Sequence, residues 1–279
     1  MNRRKAMKLA GGAIIGGGIV GILPLYNAFK PKYPSAKKPQ KLEYKKADHD
    51  WKYARLNPAT TAELAYKHYE GGGCMYATVK GVLSQLAEKF GEPYESFPFH
   101  MMKYGHGGIA GFGTLCGALN GAAALIGLFV AGKEMKDSLT TGLFRWYENK
   151  QLPEFKPRKP ILDFEPPGSV SNSILCHASN SSWVNATGYE IKSKQRIERC
   201  RRLTSDVAAQ TTVILNEYFN NNYVTDGHDD ETVRKCMTCH GKEGKLANTG
   251  GKMSCTSCHT ESIGHKVFAE PHYKVMNEK

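Results

Sequence analysis

The chain has 279 residues, 41% of them hydrophobic, with a mean hydropathy of -0.46, which allows one large or two modest packed domains and excludes a polytopic membrane protein. Its net charge of +12 is local: residues 1–46 hold 11 Lys and Arg against one acid, Glu43, whereas the rest of the chain holds 27 against 25. No basic stripe with interleaved aromatic residues remains, so nucleic acid is excluded as a partner.

Residues 1–36 read as an export leader. Arg3-Arg4 precedes a mild apolar run from Leu9 to Tyr26, and Asn2 to Lys8 resembles a twin-arginine signal with Ala6 and Met7 in place of the usual Phe-Leu. Such a leader directs the folded part to the periplasm; left uncleaved, it would anchor the protein to the membrane. Residues 37–58, rich in Lys, Pro and Tyr, read as a linker or arm.

Residues 59–224 carry helical patterning. Thr60 and Thr61 predict the cap of a helix that runs to Tyr69 and stops at Gly71-Gly72-Gly73. Val79, Val82, Leu83, Leu86 and Phe90 predict a second helix from Cys74 to about Gly91. Residues 91–113 form a loop holding His100 and His106. From Ile109 to Val130 there is no charge over 22 residues, enough to span a membrane. Thr114, Cys116, Asn120 and five Gly argue instead for a buried helix, with Gly113, Gly117 and Gly121 permitting close contact. Ser138–Lys150 is a further helix, and residues 152–173, with five Pro, are a connection. Lys192–Asn220 is a long helix with Val207, Thr211, Ile214, Leu215 and Tyr218 on one face.

Asn220-Asn221-Asn222 and Asp226-Gly227 mark a boundary. The tail, residues 225–279, has few large apolar residues and needs a cofactor to organise it. It contains Cys236-Met-Thr-Cys239-His240 and Cys255-Thr-Ser-Cys258-His259. In Cys-x-x-Cys-His the two thiols add to the haem vinyl groups and the His is the proximal iron ligand. Two covalent haem c groups per chain are therefore expected, at Cys236 and Cys239 with His240, and at Cys255 and Cys258 with His259. The rival is a four-Cys zinc ribbon, which the Cys spacing also fits. Zinc gives no reason for a His after both pairs; with 10 His in 279 residues that coincidence has a chance of about 1 in 800. Distal ligand candidates are His265 and His272 downstream, His228 upstream, and His100 and His106 farther away. Two His on each iron would make an electron carrier; an open iron position would make a reductase. The fold class is mostly α: a helical N-terminal domain with a small, irregular C-terminal di-haem domain.

Four cysteines remain: Cys74, Cys116, Cys176 and Cys200. Their spacing is equally consistent with a metal centre, two disulfides or buried thiols. Their order, with Cys116-Gly-Ala-x-x-Gly at the second position and Gly-Cys-Met-Tyr-Ala-Thr-Val around Cys74, resembles the redox-active C_GCAxxG_C_C family over residues 60–220. Joined to a two-haem tail behind a twin-arginine leader, it resembles the split-Soret cytochrome c family. The resemblance implies a homodimer with clustered, stacked haems and a distal His donated across the interface. It also implies that Cys74, Cys116, Cys176 and Cys200 are ligands of an iron–sulfur cluster. Insertion of such a cluster in the cytoplasm would explain a route that exports folded protein.

Overall fold

In the computed structural model, residues 38–43, 51–225 and 230–255 are described. The leader, His228, Cys258, His259, His265 and His272 lie outside the described residues. Seven α-helices occur among them: α1 (Pro58–His68), α2 (Gly73–Phe90), α3 (Gly117–Phe129), α4 (Lys133–Asn149), α5 (Cys176–Thr187), α6 (Lys194–Phe219) and α7 (Glu231–His240). A two-stranded antiparallel pair, β1 (Gln151–Leu152) and β2 (Ser169–Val170), closes the long proline-bearing connection. No helix among the described residues is long and apolar enough to cross a membrane.

The core forms where α6 packs against α1, α2, α3 and α4. Val207, Thr211, Ile214, Leu215 and Tyr218 are all buried along α6, at the spacing expected for one helical face. Val79, Val82, Leu83 and Leu86 of α2 meet them. Phe90, expected on the same apolar face, lies at the helix end and is 43% exposed, tilted against Tyr94. Helix α1 starts earlier than expected: Asn57, not Thr60 or Thr61, caps it, accepting from the N–H groups of Ala59 and Thr60 at 2.9 and 3.2 Å. Thr61 instead turns inward, fully buried, and meets Gln85 and Thr212.

The charge-free stretch does not form one helix from Ile109. Residues 104–114 make a tight loop, with Gly107, Gly108, Gly111 and Gly113 at positive φ. Only Gly117–Phe129 is helical, about 20 Å long. Gly117 and Gly121 face α2. A Cβ on Gly121 would lie 2.8 Å from the Met75 carbonyl oxygen, and one on Gly117 would strike the Gly105 carbonyl oxygen beside Cys74.

The segment before α1 is tied to the end of α6. Leu56 donates its N–H to Asn216 Oδ1 at 3.1 Å and accepts from Asn216 Nδ2 at 2.8 Å, so one side chain completes both backbone groups. Farther out, Lys41 and Val224 form an antiparallel bridge.

Candidate functional site

The four scattered cysteines are brought together by helix starts. Cys74 is the second residue of α2, Cys116 is the N-cap of α3 and Cys176 is the first residue of α5. Helix N-termini offer unpaired N–H groups and a positive dipole end to a sulfur anion. Leu115 and Leu175 form an antiparallel bridge, with Cys116 N–H donating to Ile174 O at 2.9 Å and Cys176 N–H to Thr114 O at 2.7 Å, so the second and third cysteines are zipped side by side. Cys200 comes from within α6 and faces the same space.

All four are free thiols. Cys74, Cys116 and Cys200 are buried, and Cys176 is half-buried. Burial pushes the Cys74 and Cys116 thiols up, and the Cys176 thiol up to about 12, each reinforced by neighbouring cysteines of the set. The four groups thus feel one another electrostatically, although among the described residues no three His, Cys, Asp or Glu are grouped closely enough to hold one metal ion as they stand.

Each sulfur also has a polar side-chain neighbour that the sequence did not single out as functional. Tyr69 meets Cys74 at 3.7 Å, and burial, then the charge of Cys116, raises the Tyr147 hydroxyl well above its ordinary range. Asn180 bridges two: its Nδ2 donates to Cys176 Sγ and its Oδ1 accepts from Cys200 Sγ, both at 3.2 Å. Arg199 reaches Cys200 Sγ through Nη1 at 4.0 Å, and its Nη2 donates to Ser179 at 2.9 Å, which in turn meets the Tyr147 hydroxyl at 3.0 Å. One guanidinium therefore reaches Cys200 directly and the Tyr147 hydroxyl through Ser179.

Arg199 differs from its neighbours. Glu198 is buried between Arg201 at 2.8 Å and Arg202 at 2.9 Å, which also pair with Glu70 and Glu165. Arg199, 1% exposed, has no carboxylate partner among the described residues. Burial pulls its guanidinium down, but Cys200, Tyr147 and Cys116 outweigh that and hold it above its ordinary value.

The segment with the first Cys-x-x-Cys-His motif starts with α7, capped by Asp230, whose Oδ1 accepts from Thr232 and Val233. Cys236, Cys239 and His240 fall at i, i+3 and i+4 and share one helix face. Beyond the helix the chain folds back: Asn248 and Thr249 donate to His240 O at 3.0 and 2.9 Å, and Asn248 Oδ1 lies 2.8 Å from His240 Nδ1. Burial raises the Cys255 thiol, with the charge of Cys236 as the next cause. His100, in a 3-10 helix (Phe99–Tyr104), and His106, in the loop that follows, are exposed, with His106 packed over Gly73.

Comparison with known proteins agrees with this arrangement. Residues 76–214 match the redox-active protein family C_GCAxxG_C_C, a span that includes Cys116, Cys176 and Cys200 and begins just after Cys74. The chain is similar to the split-Soret cytochrome c of Desulfovibrio desulfuricans, with 39% identity over 217 residues, 75% of this chain and 77% of the relative. It also resembles the solved structure of a split-Soret cytochrome c from the same species, described for its novel iron centre. The TM-score is 0.73 at 37% identity, over 78% of this chain and 94% of the other.

Proposed function

The chain belongs to the split-Soret cytochrome c family, and from that premise we propose that it is an exported, homodimeric electron-transfer protein with two covalent haem c groups and a separate iron centre held by Cys74, Cys116, Cys176 and Cys200. The observation that carries the iron centre is Arg199. A buried cation without a carboxylate costs several kcal/mol. Thiols and disulfides are neutral and offset none of that; thiolates bound to iron do. Three helix N-termini and the side chains of Tyr69 and Asn180 surround the sulfur atoms with further polar groups. The residues present fit an iron–sulfur centre in number, type and surroundings.

The haems, when bound, supply one-electron couples. Cys236 and Cys239 present two thiols on one face of α7, and His240 follows on the same face. With Nδ1 donating to Asn248, His240 is oriented to ligate through Nε2. Only 15 residues separate Cys239 from Cys255, which supports two haems attached close together. The same bonding is expected of Cys258 and His259, with His265 and His272 favoured as distal ligands and His228 as a further candidate. Twin-arginine export to the periplasm fits a protein that needs its iron centre before translocation.

Protein purified without oxygen is expected to contain two haem c groups, non-haem iron and acid-labile sulfide per chain, with a low-spin spectrum unaltered by carbon monoxide and a divided Soret band. Absence of haem c in a pyridine haemochrome assay would refute the cytochrome reading. Absence of iron and sulfide would refute the iron–sulfur centre alone.

A further inference from the structure

The stretch from Met101 to Phe112 exposes four large apolar side chains within one short segment. Phe112 is 82% exposed, and Met101, Tyr104 and Ile109 are exposed as well. Single apolar residues in water are ordinary, but a cluster of them marks a surface that meets another molecule. The loop that carries them is held fast. Ala110 N–H donates to Tyr104 O at 2.9 Å, Gly111 to His106 O at 3.0 Å and Gly113 to Gly107 O at 2.9 Å. Ile109 N–H donates to Thr114 Oγ1 at 3.0 Å. A loop already ordered in this way loses little freedom on binding.

The base of the loop rests on the four-cysteine site. Cys176 N–H donates to Thr114 O at 2.7 Å and His177 N–H to Gly113 O at 2.9 Å. At its other end Gly105 packs against Gly117, beside Cys74. Cys176, at the foot of the loop, is the one cysteine of the set that is not fully buried. Phe112 lies four positions from Cys116 and adjoins Gly113, which is bonded to the neighbour of Cys176. The apolar tip is thus the outer face of the redox site.

The surround is basic. No Asp or Glu occurs from Ser96 to Lys133 or from Pro166 to Tyr189, the segments that supply the loop, Cys116 and Cys176. His100, Lys103, His106 and His177 are exposed. Lys80 and Lys103 stand 5.3 and 5.7 Å from the Tyr76 ring centroid. Glu70, in the turn between α1 and α2, is paired with Arg201 at 2.6 Å. An apolar centre with a cationic rim is complementary to an apolar patch ringed by carboxylates. A second copy of this chain is a poor match, because a two-fold contact would set the same basic face against itself.

We propose that the loop tip around Phe112, with Lys103 and Lys80 on its rim, is the docking surface for an acidic one-electron carrier protein. The carrier exchanges an electron with the four-cysteine iron centre, so the proposal rests on the reading of that centre given above. One partner is oxidised as the other is reduced, and no bond or proton is transferred. Carboxylates on the carrier steer the encounter, and the apolar tip holds the two proteins in one orientation.

The test uses the full chain carrying haem and iron, with a small acidic [4Fe–4S] ferredoxin as the probe. Binding is measured by calorimetry and electron exchange by stopped-flow. Lys103→Glu and Phe112→Ser should each weaken binding about tenfold, and only the Lys103→Glu effect should fade at high salt. Lys133→Glu makes the same charge change beyond the far end of α3, where its side chain is 89% exposed, and should leave binding unaltered. Electron exchange should follow the same order, while reduction by a photogenerated deazaflavin radical, which needs no docking, stays constant. Iron and haem are counted in every sample. Absence of salt-sensitive binding by the wild type overturns the docking surface; so do equal losses in Lys103→Glu and Lys133→Glu, or unchanged binding in Phe112→Ser. Dissociation of a homodimer in Phe112→Ser also overturns it, by giving the patch to a second copy. A wild-type chain without iron overturns the iron reading and the electron exchange with it, a failure that the binding arm distinguishes from a wrong surface.

Discussion

Arg199 is the residue on which the four-cysteine site turns. A fixed positive charge beside a centre that gains an electron stabilises the reduced form, so its removal should lower the potential. Arg199→Met is expected to shift the reduction equilibrium of the iron centre toward the oxidised form by at least tenfold, about 60 mV for one electron, in a redox titration followed by electron paramagnetic resonance. Haem potentials should move less, since Arg199 contacts Cys200, Ser179 and Ser169 and no residue of the Cys-x-x-Cys-His motifs. The thiols give a second expectation. Burial and mutual proximity hold Cys74, Cys116 and Cys176 protonated at neutral pH, with Cys176 pushed to about 12. Iron must displace those protons. Iron loading of the metal-free protein should therefore release acid and strengthen as pH rises, measured by calorimetry in buffers of different ionisation heat. The cysteines themselves were legible in the sequence, through the family resemblance for four and the Cys-x-x-Cys-His motif for the others. Their hydrogen-bond partners were not. Asn180 stands 20 residues from Cys200 in sequence, and nothing in local pattern pairs an Asn on one helix with a Cys on another. Arg199 adjoins Cys200, but a charge run on a helix ordinarily faces solvent, and only the packed bundle reveals that this one is buried.

At the scale of helices, apolar periodicity was a sound guide where burial makes the helix. α1, α2 and α6 were legible for that reason. The start of α3 was not, because absence of charge says only that a segment is buried; the positive-φ glycines before Gly117 divert the chain into a loop. α5 and α7 were missed. α5 is rich in Ser and Asn, and α7 is set by the Asp230 cap rather than by a broad apolar face, burying only Val233. Two helix-level predictions follow from packing. Gly117→Ala places a methyl against the Gly105 carbonyl and beside Cys74, so it should separate α3 from α2 and reduce iron content while leaving both haems in place. Asp206 on α6 accepts the backbone N–H of Glu154 at 2.9 Å, and burial raises its carboxyl from 3.8 to about 7. With its folded-state value above that of the unfolded chain, its contribution to stability is complete below about pH 4 and is lost as pH rises through 7. The side chain is only partly covered, so the effect is expected at about 1–2 kcal/mol. Asp206→Asn should remove this pH dependence in urea unfolding at pH 5 and pH 8.

For the whole molecule, the decisive contact joins sequence positions 160 residues apart: Asn216 near the end of α6 and Leu56 before α1. Asn216→Leu leaves the Leu56 N–H and C=O buried without partners, at a cost of about 2–4 kcal/mol. Chemical unfolding should report that loss. Iron content should fall in parallel, because α6 carries Cys200 into the site formed by the starts of α2, α3 and α5.

Asn216 also sets a schedule. A chain leaving the ribosome exposes Cys74, Cys116 and Cys176 well before α6 exists, and the entrance to α1 has no partner until residue 216 emerges. The fourth sulfur and the clasp that seals the bundle arrive within one helix, almost together. Until then the three early thiols have neither Arg199 nor Cys200 beside them. The 26 residues of α6 act as a late key: the four-cysteine set is complete only once that helix has packed.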